Sequence, residues 1–191
     1  MVRDAEQTKQ RLLEAAVEEF SQHGVAGARV DRIAVQAGCN KALIYSYFGS
    51  KEQLFEAVVS AELIGTVEEV PITPEDLPGY AVALFDRYLD RPHLLRLAIW
   101  HRLEGGADSD LPALRAADEA KAAAIAEAQR RGRVSARIPA EELRGIVLAL
   151  SLAGVFAAPG LDPGQLPAAQ LSRMRHAVAE AVRAATAVGP G

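Results

Sequence analysis

The chain has 191 residues, of which 50% are hydrophobic and 24% are charged, so it can bury a sizeable core and is not a disordered protein. Its single cysteine excludes a disulfide framework, and its net charge of −4 excludes a uniformly basic nucleic-acid coat but not a local basic patch. The longest apolar run, residues 146–158, is shorter than the ~20 residues of a membrane helix, and no signal-peptide pattern begins the chain. We therefore expect a soluble cytoplasmic protein with no membrane contact.

Helical periodicity dominates the first 63 residues, and no alternating strand pattern is present. Helices are predicted over residues 4–23, 30–37, 40–48 and 50–63. Gly24 and Gly38 end the first two helices, and Asn40 is the expected N-cap of the third. Ser50 and Gln53 have the spacing of a capping box at the start of the fourth. These short helices predict one compact helical unit.

Prolines at positions 71, 74 and 78 predict a linker over residues 65–78. Beyond it, helical patterns cover residues 78–90, 92–104, 112–131, 139–158 and 165–187. The expected fold is therefore all-α, with domains over residues 1–63 and 64–191.

The second and third predicted helices, joined by a tight glycine turn, form a helix-turn-helix pattern, in which the second helix of the pair lies in the DNA major groove. On that helix Ile44 and Phe48 are four apart and should face the core, whereas Lys41, Ala42 and Tyr45 share another face. Leu43 and Tyr47 flank this face. The sequence predicts that it meets double-stranded DNA, with phosphates contacted by Tyr47 and by the flanking residues Lys51, Arg29, Thr8 and Lys9.

At this point the stretch "TKQRLLEAAVEEFSQHGVAGARVDRIAVQAGCNKALIYSYFGSKEQL" resembles the TetR-type transcriptional regulators. The resemblance implies an all-helical homodimer whose amino-terminal domain binds a DNA operator. It also implies a carboxy-terminal domain that dimerises and binds a small effector, which would release a repressor from its operator. The chain departs from the family pattern at Arg29, where a threonine usually caps the second helix and touches phosphate. An arginine cannot cap in that way, but it could contact phosphate directly.

Aromatic residues with polar tips are expected in the middle of the larger domain, where they would line a site for a largely apolar effector. They are Tyr80, Tyr88, Trp100 and His101. The alternative that these residues simply pack the core stays open for each of them.

Two other classes of function are weaker alternatives. His101 with Glu104, and Asp108 with Asp110, supply too few ligands for a metal site, and no catalytic or nucleotide-binding motif is present. We therefore expect no enzyme, no catalytic residue, no metal and no cofactor. The other alternative is a protein-interaction module whose helix-turn-helix is only structural.

A stripe of small residues predicts the dimer interface. Gly145, Ala149, Ala153 and Ala157 recur every four residues. The last predicted helix has an apolar face, made of Leu171, Met174, Val178, Val182 and Ala185. Two such helices from each chain would form a four-helix bundle about a twofold axis. The alternative is that both faces are buried inside one subunit.

Overall fold

The computed structural model describes residues 2–104, 111–157 and 163–188, and every regular element in these ranges is helical. The α-helices are α1 (Val2–Gly27), α2 (Val30–Gln36), α3 (Lys41–Phe48), α4 (Lys51–Glu69), α5 (Leu77–Asp90), α6 (His93–Glu104), α7 (Pro112–Arg130), α8 (Ala140–Ser151), α9 (Ala153–Phe156) and α10 (Ala168–Thr186). Short 3₁₀ turns lie at Pro74–Asp76 and Pro163–Gln165. The predicted all-α class is confirmed. None of the described helices is both long and apolar enough to cross a membrane.

The chain divides into two compact units. The first contains α1 to α3, α4 as far as Ile64, and α6; the second contains the rest of α4, together with α5 and α7 to α10. This division differs from the predicted domains in α6, which the sequence assigned to the second. The reason is packing: Leu97 of α6 is fully buried in the core that α1 forms, and Trp100 packs against the same core.

The core of the first unit is apolar and closely packed. Its fully buried members include Leu12, Phe20, Ile33, Ile44 and Val58. The rings of Phe20 and Phe55 meet edge to face with their centroids 5.2 Å apart, a favoured geometry for an aromatic pair. The predicted inward face of α3 is confirmed, because Ile44 is fully buried and Phe48 packs against this core.

The two predicted N-caps at Asn40 and Ser50 are confirmed. The side-chain Oδ1 of Asn40 accepts a hydrogen bond from the backbone N–H of Ala42 at 2.9 Å. The Ser50 hydroxyl accepts one from the N–H of Gln53 at 3.1 Å. Both bonds satisfy donors that a helix start otherwise leaves unpaired, so α3 and α4 begin at fixed residues.

Helix α4 is longer than predicted, and the first part of the expected linker is therefore helical. Gly65 does not end the helix, since an isolated glycine costs only about 1 kcal/mol relative to alanine. Within the second unit, the end of α4 is anchored by Glu69, whose carboxylate pairs with Arg87 at 2.5 Å and with Arg91 at 3.8 Å.

In the second unit α5 packs on α8 and α10, and α7 packs on α8. The predicted continuous helix over residues 139–158 is wrong, because it breaks at Leu152 into α8 and α9. Just before the break, the Ser151 hydroxyl donates to the carbonyl of Val147 at 2.8 Å, a back-bond that bends helices. Residue 158, the predicted end, lies outside the described residues.

Candidate nucleic-acid interface

Helix α3 turns one face away from the core of the first unit. Lys41, Ala42 and Tyr45 are exposed, and Tyr45 keeps 51% of its surface accessible although it is a large aromatic residue. The buried Ile44 fixes the rotation of the helix, so that the exposed face follows from the packing of the opposite one. The structure therefore brings the predicted base-reading residues onto one accessible surface.

Lys41 is only loosely held on this surface. Its ammonium lies 3.1 Å from Oδ1 of Asp31, and the two side chains are 60% and 66% exposed. An ion pair with this exposure contributes about 0 to 1 kcal/mol, so Lys41 can leave Asp31 for a DNA group at little cost.

Two flanking residues are partly held by the first unit itself. Tyr47 is half-buried against the core, with its ring edge to face on Phe48 at a centroid distance of 6.5 Å. The ammonium of the half-buried Lys51 donates to the carbonyl oxygen of Ala28 at 3.3 Å. This bond links the start of α4 to the segment that leads into α2, a contact that the sequence did not reveal. Leu43 is half-buried as well.

The predicted phosphate contacts on α1 differ in exposure. Thr8 is 91% buried, with 9% of its surface accessible, and its hydroxyl accepts from the Arg11 guanidinium at 3.3 Å. Lys9 is exposed, and its ammonium lies 6.0 Å from the centre of the Phe48 ring. Lys9 is thus free to turn toward an anion, whereas Thr8 offers little accessible surface.

Arg29 is the N-cap residue of α2, and its side chain makes no capping hydrogen bond. Its backbone N–H instead donates to Oε1 of Glu19 at 2.7 Å, and the same carboxylate pairs with Arg32 at 2.6 Å. Burial acts to raise the pKa of Glu19, but hydrogen bonds from Arg32 and Arg29 and the charges of Arg32 and His23 outweigh it and hold the pKa below its usual value. Glu19 was not predicted as part of this site, because its contact with Arg29 joins two helices and has no signal in the local sequence.

The four predicted effector residues belong to different units. Trp100 and His101 lie in the first unit, where Trp100 packs against the core and the His101 ring lies 6.4 Å from that of Phe55. Burial lowers the pKa of His101, against the opposing charge of Glu56. Tyr80 and Tyr88 lie in the second unit, where 7% and 8% of their surfaces are accessible.

Tyr80 and Tyr88 belong to a polar cluster that the sequence did not indicate. Asp118 of α7 pairs with Arg144 of α8 at 3.1 Å, and Lys121 lies one turn after Asp118. Burial, Tyr88 and Asp118 raise the pKa of Tyr80 to about 12 against the opposing charge of Arg144, and burial and Asp118 raise that of Tyr88 to about 12. Burial and Arg144 lower the pKa of Lys121 against the opposing charge of Asp118. With these raised pKa values, both phenols are protonated at neutral pH and can donate a hydrogen bond.

No three residues of the types His, Cys, Asp and Glu come together for a metal ion in residues 2–104, 111–157 and 163–188. Glu104, one of the residues weighed as a ligand, accepts a hydrogen bond from the backbone N–H of Val25 at 2.9 Å. Asp108 and Asp110 lie outside the described residues.

The predicted dimer face on α8 and α9 is accessible in the single chain. Ala149, Ala153 and Ala157 are exposed, as are Ile146 at 38% and Phe156 at 58%. The proposed partner face on α10 is more mixed. Val178 and Val182 are buried within the subunit, whereas Leu171, Met174 and Ala185 are half-buried.

A helix-turn-helix with an exposed second helix, joined to a second all-helical unit, defines the class of DNA-binding transcriptional regulators. Residues 12–58 match the model of the bacterial regulatory proteins of the tetR family, and residues 76–184 match that of the tetracyclin repressor-like C-terminal domain. The chain belongs to the tetR family.

Relatives with similar sequences carry regulator names. The HTH-type transcriptional repressor SCO4008 of Streptomyces coelicolor is 41% identical over 152 residues, which cover 78% of this chain and 79% of the relative. The HTH-type transcriptional repressor NicS of Pseudomonas putida is 46% identical over 55 residues, 29% of this chain and 26% of its own. The crystal structure of SCO4942 from Streptomyces coelicolor has a TM-score of 0.80 at 35% identity and covers 95% of this chain and 99% of its own.

Proposed function

We propose that the protein is a transcriptional repressor that binds an operator duplex as a homodimer and is released from it by a small-molecule effector. The observation that carries this proposal is the exposed face of α3, where Lys41, Ala42 and Tyr45 stand opposite the buried Ile44. The repressor names of its relatives support the direction of regulation. A repressor of this kind acts in the cytoplasm, where bacterial DNA lies, and needs no catalytic residue.

The interface residues take two roles in this proposal. Lys41, Ala42, Leu43 and Tyr45 meet base edges in the major groove, because they lie on or beside the exposed face of α3. The phosphate contacts come from the surrounding residues Tyr47, Lys51, Arg29, Lys9 and Thr8. Among these, the exposed Lys9 and Arg29 are the best supported and the buried Thr8 the least.

The effector site is proposed in the second unit around Tyr80 and Tyr88. Both side chains are more than nine-tenths buried, and the charge of Asp118, which pairs with Arg144, acts on the pKa of both phenols. A few polar groups in a mostly apolar site fix the orientation of a ligand, so the effector should combine an apolar body with hydrogen-bonding groups. Such a ligand releases DNA only if it binds the two states unequally, typically by about 1 to 3 kcal/mol.

The dimer is proposed on the face that includes Ala149 and Phe156. A recognition helix of this length buries too little surface for tight binding alone, whereas a twofold dimer reads two half-sites. The small side chain of the exposed Ala149 allows a second helix to approach closely, and the exposed Phe156 would lose its contact with water there.

The proposal is tested by selecting bound duplexes from random DNA and measuring affinity for the selected sequence. Lys51→Ala should weaken binding to every duplex and lessen the salt dependence, whereas Lys41→Ala should change the preferred bases. Arg130→Ala is a matched control, because Arg130 is an exposed cation of the second unit that pairs with Glu127. Recovery of no preferred sequence, with equal behaviour of all three variants, would favour a protein-interaction module instead.

A further inference from the structure

Helix α2 begins without the cap that its N-cap position normally supplies. Arg29 has the extended backbone of an N-cap residue, with φ −117° and ψ 115°, but its guanidinium has no acceptor atom for the backbone N–H groups of the first turn. A helix start that is left open in this way costs about 0.5 to 2 kcal/mol. A side chain from another helix accepts a backbone hydrogen bond at this helix start.

The acceptor is the carboxylate of Glu19, which lies on α1. Its Oε1 accepts the Arg29 N–H at 2.7 Å, and the guanidinium of Arg32 donates to the same carboxylate through Nε at 2.9 and 3.0 Å and through Nη2 at 2.6 Å. In a capping box the residue at N3, three after the N-cap, is a glutamate or glutamine that accepts the N-cap N–H. Here N3 is Arg32, which holds a carboxylate from another helix at that place.

The carboxylate depends on these partners. Only 7% of the Glu19 side chain is exposed, and a buried charge is tolerated only when it is paired and hydrogen-bonded. The other charged neighbour is His23, whose Nε2 lies 3.9 Å from Oε2 of Glu19. Truncating Glu19 to alanine would leave Arg32 without its ion pair and the Arg29 N–H without its acceptor.

Arg29 and Arg32 have different roles in this arrangement. The guanidinium of Arg32 is occupied by Glu19. That of Arg29 is exposed and has no hydrogen bond or ion pair within the described residues. The Arg29 N–H donates to Glu19, and the N3 N–H of Arg32 donates to the carbonyl oxygen of Arg29 at 3.0 Å, so both donors have acceptors without a hydroxyl at position 29. Position 29 can therefore carry a cation.

We propose that Glu19 is a positioning residue for operator binding: held by Arg32, it caps α2 from α1 and thereby presents the Arg29 guanidinium to an operator phosphate. This inference rests on the proposed function, because it assigns Arg29 to DNA. It places a positive charge at the phosphate, which a threonine at position 29 would not supply. In a dimer with one such contact per subunit, the salt slope d log K/d log[salt] is more negative by roughly 1.8 than in a dimer without these contacts.

The experiment measures that slope with full-length protein and the selected duplex. Arg29→Ala should reduce the magnitude of the slope by roughly 1.8. Glu19→Ala removes the acceptor of the Arg29 N–H and should reduce the magnitude by a similar amount although it removes a negative charge, and Arg29→Ala should have no further effect in that background. Glu14→Ala on the exposed side of α1 removes the same charge away from α2 and should leave the slope unchanged or steeper. Circular dichroism checks that each variant is folded.

A charge-neutral rescue separates capping from general stability. Glu19→Ala combined with Arg32→Gln places an amide at N3, where it can accept the Arg29 N–H within α2. This pair should recover the slope that Glu19→Ala alone loses. If folded Glu19→Ala keeps the wild-type slope while Arg29→Ala reduces its magnitude, or if the paired variant recovers nothing, the positioning role is wrong. If the wild type binds the selected duplex no better than a scrambled one, the proposed function itself fails.

Discussion

Gly24→Ala tests the backbone conformation and the packing at the kink in α1. Gly24 breaks α1 with φ 63° and ψ −176°, a backbone conformation that is essentially restricted to glycine. A side chain there would also meet neighbours from α6. Its Cβ would lie 2.9 Å from Cδ2 and Cε3 of Trp100 and 2.7 Å from Oε1 of Glu104.

A backbone cost and a packing cost together set the expected loss in the free energy of unfolding. Holding a residue other than glycine in this conformation costs about 1 to 3 kcal/mol. Pushing the Trp100 ring away from its packed position adds an overpacking cost of about 1 to 3 kcal/mol. Together they predict that Gly24→Ala lowers the free energy of unfolding by about 2 to 6 kcal/mol.

Urea unfolding followed by circular dichroism measures this loss as a lower midpoint at an unchanged m-value. Gly27→Ala is the control, because Gly27 is helical and its Cβ would make only an ordinary contact at 3.4 Å with Cβ of His23. The control should be neutral or more stable than wild type by up to about 1 kcal/mol. A wild-type midpoint for Gly24→Ala would refute both the backbone and the packing argument.

Three further predictions concern the same elements. Asn40→Ala removes the acceptor of the Ala42 N–H and should lower the free energy of unfolding by about 1 kcal/mol in urea titrations, and an unchanged value would contradict the cap. Because the folded pKa of Glu19 is lowered, its charge stabilises the fold above the unfolded pKa, and this contribution is lost as the pH falls through the lower folded value. The difference in unfolding free energy between wild type and Glu19→Gln should therefore be constant near neutral pH and shrink below about pH 4.3. A difference that grows on acidification would mean that the pKa of Glu19 is raised in the fold and would contradict this prediction. Ala149→Glu places a charge in the proposed dimer face and should give helical monomers in sedimentation experiments; an intact dimer would rule out this interface.

The local features of the first unit could be predicted because they depend on residues close in sequence. The Asn40 and Ser50 caps act over two and three residues, and the rotation of α3 follows from Ile44 and Phe48. Such short-range signals specify helix starts and faces before any tertiary contact is known. The exposed face of α3 could therefore be predicted from the sequence.

The remaining features depend on partners that are distant in sequence. Glu19 meets the Arg29 N–H across a turn between two helices, a contact that no helical spacing encodes. Trp100 carries an aromatic signal that suits a ligand site or a core equally, and packing against α1 decided its place. The break at Leu152 lies beside the hydroxyl back-bond of Ser151, whose sequence signal is weak in an apolar helix.

Sequence-specific DNA binding through α3 can be measured by fluorescence anisotropy with two labelled duplexes. One duplex carries the selected sequence and the other has the same composition in scrambled order, and both are titrated with wild-type protein at one fixed, near-physiological salt concentration. We predict that the selected duplex binds at least about 10³-fold more tightly, and that Lys41→Ala reduces this ratio of affinities. Equal affinity for the two duplexes, or a ratio that Lys41→Ala leaves unchanged, would contradict the assignment of α3 as the recognition helix.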